Sequence, residues 1–193
     1  MTERDFALEV VRRLRAAGHE ALFSILGNAV PDRPFVDVFA GTGVVGLEAL
    51  SRGASSVTFV ERDFRLSAEL ERHAEAFGVR AATRIDRADV YRWAERWQPP
   101  AEPVTVFISP PFADFEQRAE DLLSLVAGLQ QKMAAGSVLV LQAERSPFLD
   151  RLPDLDRWDQ RRYGRNWLLI WGPSEGQGRD TVEDSADTGE TTS

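Results

Sequence analysis

Val36-Asp37-Val38-Phe39-Ala40-Gly41-Thr42-Gly43-Val44-Val45-Gly46 is the stretch whose reading decides the fold. Phe35 to Ala40, apolar except for Asp37, reads as a buried strand, and Val44 to Arg52, stopped by Gly53, reads as the helix that follows it. The glycines between them allow positive φ and close backbone approach, so that amide N–H groups can face a ligand at the helix N-terminus. By itself this turn also matches the dinucleotide pattern G-x-G-x-x-G, and Glu61 lies about 20 residues on, where a ribose-binding acid is expected. The turn alone leaves the ligand open.

Outward from this unit, strand and helix patterns alternate to about Gly172, as in a mostly parallel sheet covered on both faces. Ser56 to Val60 is a second strand, Arg80 to Ile85 a weaker third, Val104 to Ile108 a fourth and Ser137 to Gln142 a fifth. Asp63 is placed to cap a helix with the stripe Leu66, Leu70, Ala74 and Phe77, ending at Gly78. Val90, Trp93, Ala94 and Trp97 form a short stripe halted by Pro99-Pro100, and Phe115 to Met133 reads as one long helix. Arg157 to Tyr163 and Trp167 to Trp171 flank Gly164-Arg165-Asn166, the pattern of a hairpin. Dinucleotide oxidoreductases usually continue with parallel strands, so this ending favours the methyltransferase version of the fold. The expected architecture is α/β and Rossmann-like: a seven-stranded, mostly parallel sheet, a C-terminal antiparallel hairpin, and helices on both faces. Helices are expected around Phe6 to Arg15 and His19 to Leu26. The proposed division is a helical segment over residues 1–30, one domain over 31–173 and an acidic, disordered tail over 174–193.

Two details favour S-adenosylmethionine over a dinucleotide. Asp37 sits within the strand, four residues before Gly41, where a carboxylate suits an amino-acid ammonium and repels a pyrophosphate. Glu61 ends the second strand, placed to accept from both ribose hydroxyls, and Asp89 follows the third, in position to reach the adenine amino group. Asp89 equally suits a helix N-cap, and Asp86 is a competing candidate. The candidate cofactor-binding set is Asp37, Phe39, Ala40, Gly41, Thr42, Gly43, Gly46, Glu61, Arg62, Asp89 and Val90.

Phe107-Ile108-Ser109-Pro110-Pro111-Phe112 ends the fourth strand at the carboxyl edge, where open α/β sheets place their ligands. Methylating a base amino group needs acceptors for its two N–H bonds, so that the nitrogen lone pair is drawn out of ring conjugation. The Ser109 hydroxyl and the Pro110 carbonyl can be those acceptors. Pro110 and Pro111 stiffen the loop, and Phe112 offers a face for an extruded base, worth about 1–3 kcal/mol. The bland alternative is a proline-ended strand with Phe112 in the core. Ser109, Pro110, Pro111 and Phe112 are the candidate catalytic residues.

Composition bounds the chemistry. The chain has 193 residues, 43% of them hydrophobic, enough for one α/β core. No apolar run approaches the roughly 20 residues needed to cross a bilayer, and Met1 to Leu14 mixes charges into its apolar positions, unlike a signal peptide. A cytoplasmic protein without a membrane partner is expected. There is no cysteine and there are two histidines, so disulfides are excluded and no metal is expected. The net charge of −8 opposes generic nucleic-acid binding. Its distribution is uneven: Glu175, Asp180, Glu183, Asp184, Asp187 and Glu190 against Arg179 give the tail −5, leaving −3 elsewhere. Arg12, Arg13 and Arg15, and again Arg161, Arg162 and Arg165, form local basic clusters.

These residues together resemble the RsmD-like small-subunit ribosomal RNA guanine-N2 methyltransferases. The resemblance runs from about Glu20 to Gly172. It rests on Glu20 to Leu26, on Asp37 to Ala54, on Phe59-Val60-Glu61-Arg62-Asp63 and on Tyr163-Gly164. It implies methyl transfer from S-adenosylmethionine to the 2-amino group of a guanine in 16S ribosomal RNA. It also implies Asp37, Gly41, Gly43, Glu61 and Asp89 around the cofactor, the Pro-Pro loop around the base, and ribosomal RNA or the small ribosomal subunit as partner. A monomer is expected. The family carries Asp-Pro-Pro-Tyr or Asp-Pro-Pro-Phe where this chain has Ser109; serine there is familiar among cytosine-N4 methyltransferases. The family's Arg-Pro-Thr segment ahead of Glu20 is replaced by Arg12 to His19. Two alternatives stay open: amino methylation of another base in RNA or DNA, and a cofactor-binding domain without catalysis. A nicotinamide oxidoreductase is disfavoured by Asp37, the Pro-Pro loop and the terminal hairpin.

Overall fold

Side chains alternate across each central strand, and this alternation builds two cores. Val36 and Val38 of β1 (Pro34–Val38), Val106 and Ile108 of β4 (Thr105–Ile108), and Leu139 and Leu141 of β5 (Val138–Glu144) face one layer. Phe35, Phe107 and Val140, one residue out of step, face the other. Each such fully buried Leu or Phe contributes about 1.5–3 kcal/mol relative to exposure. The computed structural model describes residues 19–172; the expected helix around Phe6 to Arg15 and the acidic tail lie outside the described residues.

β2 (Ser56–Val60), β3 (Thr83–Asp86), β6 (Asp159–Tyr163) and β7 (Asn166–Trp171) complete a seven-stranded sheet of order β3-β2-β1-β4-β5-β7-β6. β1 to β5 are mutually parallel, whereas β7 runs antiparallel between β5 and β6. The strand order reverses between β1 and β4, so the carboxyl ends on either side of that crevice form the natural ligand site. The expected mostly parallel sheet with an antiparallel ending is what the chain adopts.

One face carries α1 (His19–Leu26), α2 (Val44–Ser51) and α3 (Phe64–Ala76), with Leu22, Phe23, Leu47 and Leu70 in its core. The other carries α4 (Val90–Arg96) and α6 (Ala119–Lys132), with Ala94, Leu122, Val126 and Leu129. Asp63 caps α3 as expected: its carboxylate accepts from the amides of Arg65 at 2.7 Å and Leu66 at 3.1 Å.

Three departures from the sequence expectation have a local cause. β1 stops at Val38, because Phe39 turns to φ 63° at the start of the glycine loop. β3 starts only at Thr83, because Arg80–Ala82 winds a 3₁₀ turn closed by the Thr83 hydroxyl on the Arg80 carbonyl. The single helix expected from Phe115 to Met133 is two: α5 (Asp114–Gln117) ends where Arg118 leaves helical geometry at φ −130°, and α6 begins after it. Among the described residues no helix is long and apolar enough to cross a membrane.

Candidate active site

A cleft of about 360 Å³ opens at the carboxyl edge, between the ends of β1, β2 and β4. Of the expected cofactor residues, Phe39, Gly41, Glu61, Arg62, Asp89 and Val90 line it. Glu61 is the organising group. Its Oε2 accepts from Gly41 N–H and its Oε1 from Asp63 N–H, both at 2.8 Å. A carboxylate has about four acceptor positions, so each oxygen keeps one for a further donor. Gly41 holds φ 56° with open space around it, and Leu70 sits where a Cβ on Gly43 would be, at 1.9 Å. Gly43 and Gly46 therefore serve packing, whereas Gly41 faces the cleft.

Asp37 does not line the cleft. It lies beneath the turn, 2% exposed, its Oδ2 accepting from Gly46 N–H at 2.9 Å. Where a meeting with an ammonium is expected, its carboxylate is engaged in holding the loop. Desolvation pushes its pKa up to about 7; the Gly46 bond pulls it down and the Glu61 charge pushes it further up. Ala40, Thr42, Gly43 and Gly46 likewise do not line the cleft; Ala40 bridges β2 and the turn, taking Val60's carbonyl at 3.0 Å and receiving Gly43's N–H at 2.8 Å.

Asp89 is the N-cap of α4 and also faces the cleft. It accepts from Arg92 N–H at 3.2 Å and lies beside Arg118 Nη1 at 3.5 Å. Asp86, the competitor, is taken up by Arg84 at 2.7 Å and Trp93 Nε1 at 2.9 Å, away from the cleft.

Ser109 and Pro111 line the same cleft, so the loop after β4 and the Glu61 region share one cavity. Ser109 N–H donates to the Val38 carbonyl at 3.3 Å, fastening the loop to β1. Pro110 is buried outside the cleft. Phe112 does not line the cleft; it follows Pro111 and is 66% exposed, which excludes the core role.

Sequence reading missed Tyr91, Asp114 and Arg118, which form the third wall. Tyr91 Oη donates to Asp114 Oδ2 at 2.6 Å, and the Arg118 guanidinium stacks on the Tyr91 ring at 3.7 Å. Burial, then the bond to Asp114, pushes the Tyr91 hydroxyl well above the usual phenol range. Helical patterning marks apolar faces, and these polar residues stand at helix starts and at the α5–α6 break, where it carries no signal.

The cleft combines the carboxylates Glu61, Asp63, Asp89 and Asp114 with backbone amides and the cations Arg62 and Arg118. A pyrophosphate would sit against those carboxylates at a Coulomb cost. An uncharged ribose and adenine carrying a cationic end fit the donor and acceptor set. With the crevice beside β1 and the reversed β7, this defines a Rossmann-like class I methyltransferase fold. The chain belongs to the RsmD-like methyltransferase family, whose profile, described as conserved hypothetical protein 95, matches residues 9–172.

Among curated relatives, YlbH of Bacillus subtilis is 26% identical over 161 residues, 79% of this chain and 82% of that protein. Ribosomal RNA small subunit methyltransferase D of Escherichia coli is 33% identical over 93 residues, and there the chain spans about half of that relative, 46% of its length against 48% of its own. Among solved structures, the Escherichia coli protein yhhF superposes with a TM-score of 0.67 at 23% identity, covering 81% of this chain and 84% of that one. An RNA methyltransferase from Salinibacter ruber in complex with S-adenosyl-L-homocysteine gives 0.56 at 15% identity, covering 83% and 95%. Both are likenesses of fold.

Proposed function

We propose that this chain is an S-adenosylmethionine-dependent methyltransferase of ribosomal RNA that acts on an exocyclic amino group, guanine N2 in 16S ribosomal RNA. The observation that carries the reading is the shared cavity of Ser109, Pro111 and Glu61, with the next residue, Phe112, exposed. The names of relatives in the family, among them ribosomal RNA small subunit methyltransferase D, support the substrate class.

Glu61 would accept from the ribose diol through the acceptor positions that Gly41 and Asp63 leave open, and Asp89, steadied by Arg118, from the adenine amino group. Gly41 brings the backbone close, and Asp37 keeps the turn in place. The cofactor supplies an electrophilic methyl group on a sulfonium. Ser109 Oγ would accept from an N–H bond of the target amine, helping to free its lone pair, and Phe112 would stack the extruded base. Pro110, buried beside the cleft, and Pro111, in its lining, hold this acceptor without offering competing donors.

Ser109, in place of the family's aspartate, favours one second reading: the same reaction on adenine N6 or cytosine N4. A serine hydroxyl accepts a hydrogen bond but does not offset developing positive charge as a carboxylate does. Labelled-cofactor transfer to undermethylated small subunits, naked ribosomal RNA and DNA in parallel, followed by nucleoside analysis, tests both. N2-methylguanosine from ribosomal RNA is expected; N6-methyladenosine or N4-methylcytidine would select the second reading, and no product would sink both.

A further inference from the structure

We infer that the tip of the β6–β7 hairpin, Arg162 to Arg165, is a clamp for the RNA backbone next to the target nucleotide; this rests on the ribosomal RNA reading above. Register places the tip. β4 pairs with β5 only as far as Ile108↔Leu141, the residue before Ser109. β5 and β7 stay paired three residues further, through Gln142↔Leu168, Ala143↔Trp167 and Glu144↔Asn166. At about 3.3 Å per residue the ladder rises roughly 10 Å past the base loop, and the Gly164-Arg165 turn tops it. β7 lies two strands from β4, so the tip stands on the edge that carries Ser109 and the cleft.

Its chemistry suits a phosphate chain. All five residues of β6 are exposed, as are Gly164 and Arg165. Arg161 is engaged by Asp159 at 2.8 Å. Arg162 donates Nε to the Gly164 carbonyl at 3.0 Å, its terminal nitrogens have no partner among the described residues, and Arg165 has no hydrogen bond or ion pair among them. Tyr163 between them is 38% exposed and offers a ring for a ribose or base. The terminal nitrogens of Arg162 and the Arg165 guanidinium stand on the edge that carries the cleft, on a chain of net charge −8, and phosphates are the partner that such fork-shaped donors fit.

The test compares two double variants that remove equal charge: Arg162→Ala/Arg165→Ala at the tip, and Arg92→Ala/Arg96→Ala on the exposed side of α4. Binding of unmodified 16S ribosomal RNA and of undermethylated small subunits is measured across a salt series, with S-adenosylhomocysteine affinity read separately. The tip variant is expected to lose at least tenfold in RNA affinity, with its log K against log salt slope reduced by about 1.4–1.8, and to keep its cofactor affinity. The α4 variant should stay within about twofold of wild type. Equal losses in both variants, or none at the tip, overturn the clamp while leaving the methyltransferase reading intact. Wild type that binds neither RNA nor subunits would remove the parent reading and the clamp with it.

Discussion

Asp37 holds a proton near neutrality because burial, more than any neighbour, penalises its charge. Its pKa stands at about 7 in the folded chain against 3.8 ordinarily, so the folded state binds the proton more tightly. The stability this gives is complete below about pH 4 and is lost progressively as pH rises to about 7. Asp37→Asn keeps an acceptor for Gly46 N–H and removes the titration. Denaturant unfolding should therefore show wild type losing stability relative to the variant between pH 4 and 7; parallel curves would contradict this. Glu61 already holds Gly41 and Asp63, so Glu61→Ala should weaken S-adenosylhomocysteine binding by about 1–3 kcal/mol in calorimetry. An unchanged affinity would remove it from the ribose site. Phe112→Ala, at an exposed position, should lower methyl transfer at least tenfold, about 1.4 kcal/mol, with cofactor affinity kept.

At the scale of elements, the α2–β2 contact is set by a missing side chain. A Cβ on Gly46 would stand 2.3 Å from the Phe59 ring and 2.7 Å from Val57. Gly46→Ala should cost about 1–3 kcal/mol of stability, read by denaturant midpoint; a neutral result would show that α2 slides freely on the sheet. These elements were legible because their signals are local. The glycine turn, Asp63 as a cap and the apolar β4 each announce themselves within a few residues. The wall formed by Tyr91, Asp114 and Arg118 was not, since it joins three helix starts separated in sequence and depends on Arg118 breaking the helix. Asp37 illustrates the reverse case: its position was readable, but whether its carboxylate faced ligand or backbone depended on α2 bringing Gly46 over it.

The whole molecule is organised by one topological fact: β7 runs against its neighbours, and this closes the sheet while lifting the Arg162–Arg165 tip above the edge that carries the cleft. The reversal was visible in Gly164-Arg165-Asn166 between Arg157 to Tyr163 and Trp167 to Trp171, whereas the insertion of β7 between β5 and β6 follows from long-range pairing that no local pattern encodes. The composition from Ser174 onward lacks the apolar surface needed to offset ordering entropy. A chain ending at Pro173 should keep its melting temperature, and a clear loss would show that the segment packs. The central claim is that the Glu61 cleft and the Ser109 loop form one methyl-transfer site for a nucleobase amine. Its most direct test is transfer of labelled methyl from S-adenosylmethionine to undermethylated small ribosomal subunits, followed by nucleoside mass analysis. Label in N2-methylguanosine, reduced in both Glu61→Ala and Phe112→Ala, is the predicted result; label on the sugar or on a ring carbon, or none on any substrate with intact cofactor binding, would contradict it.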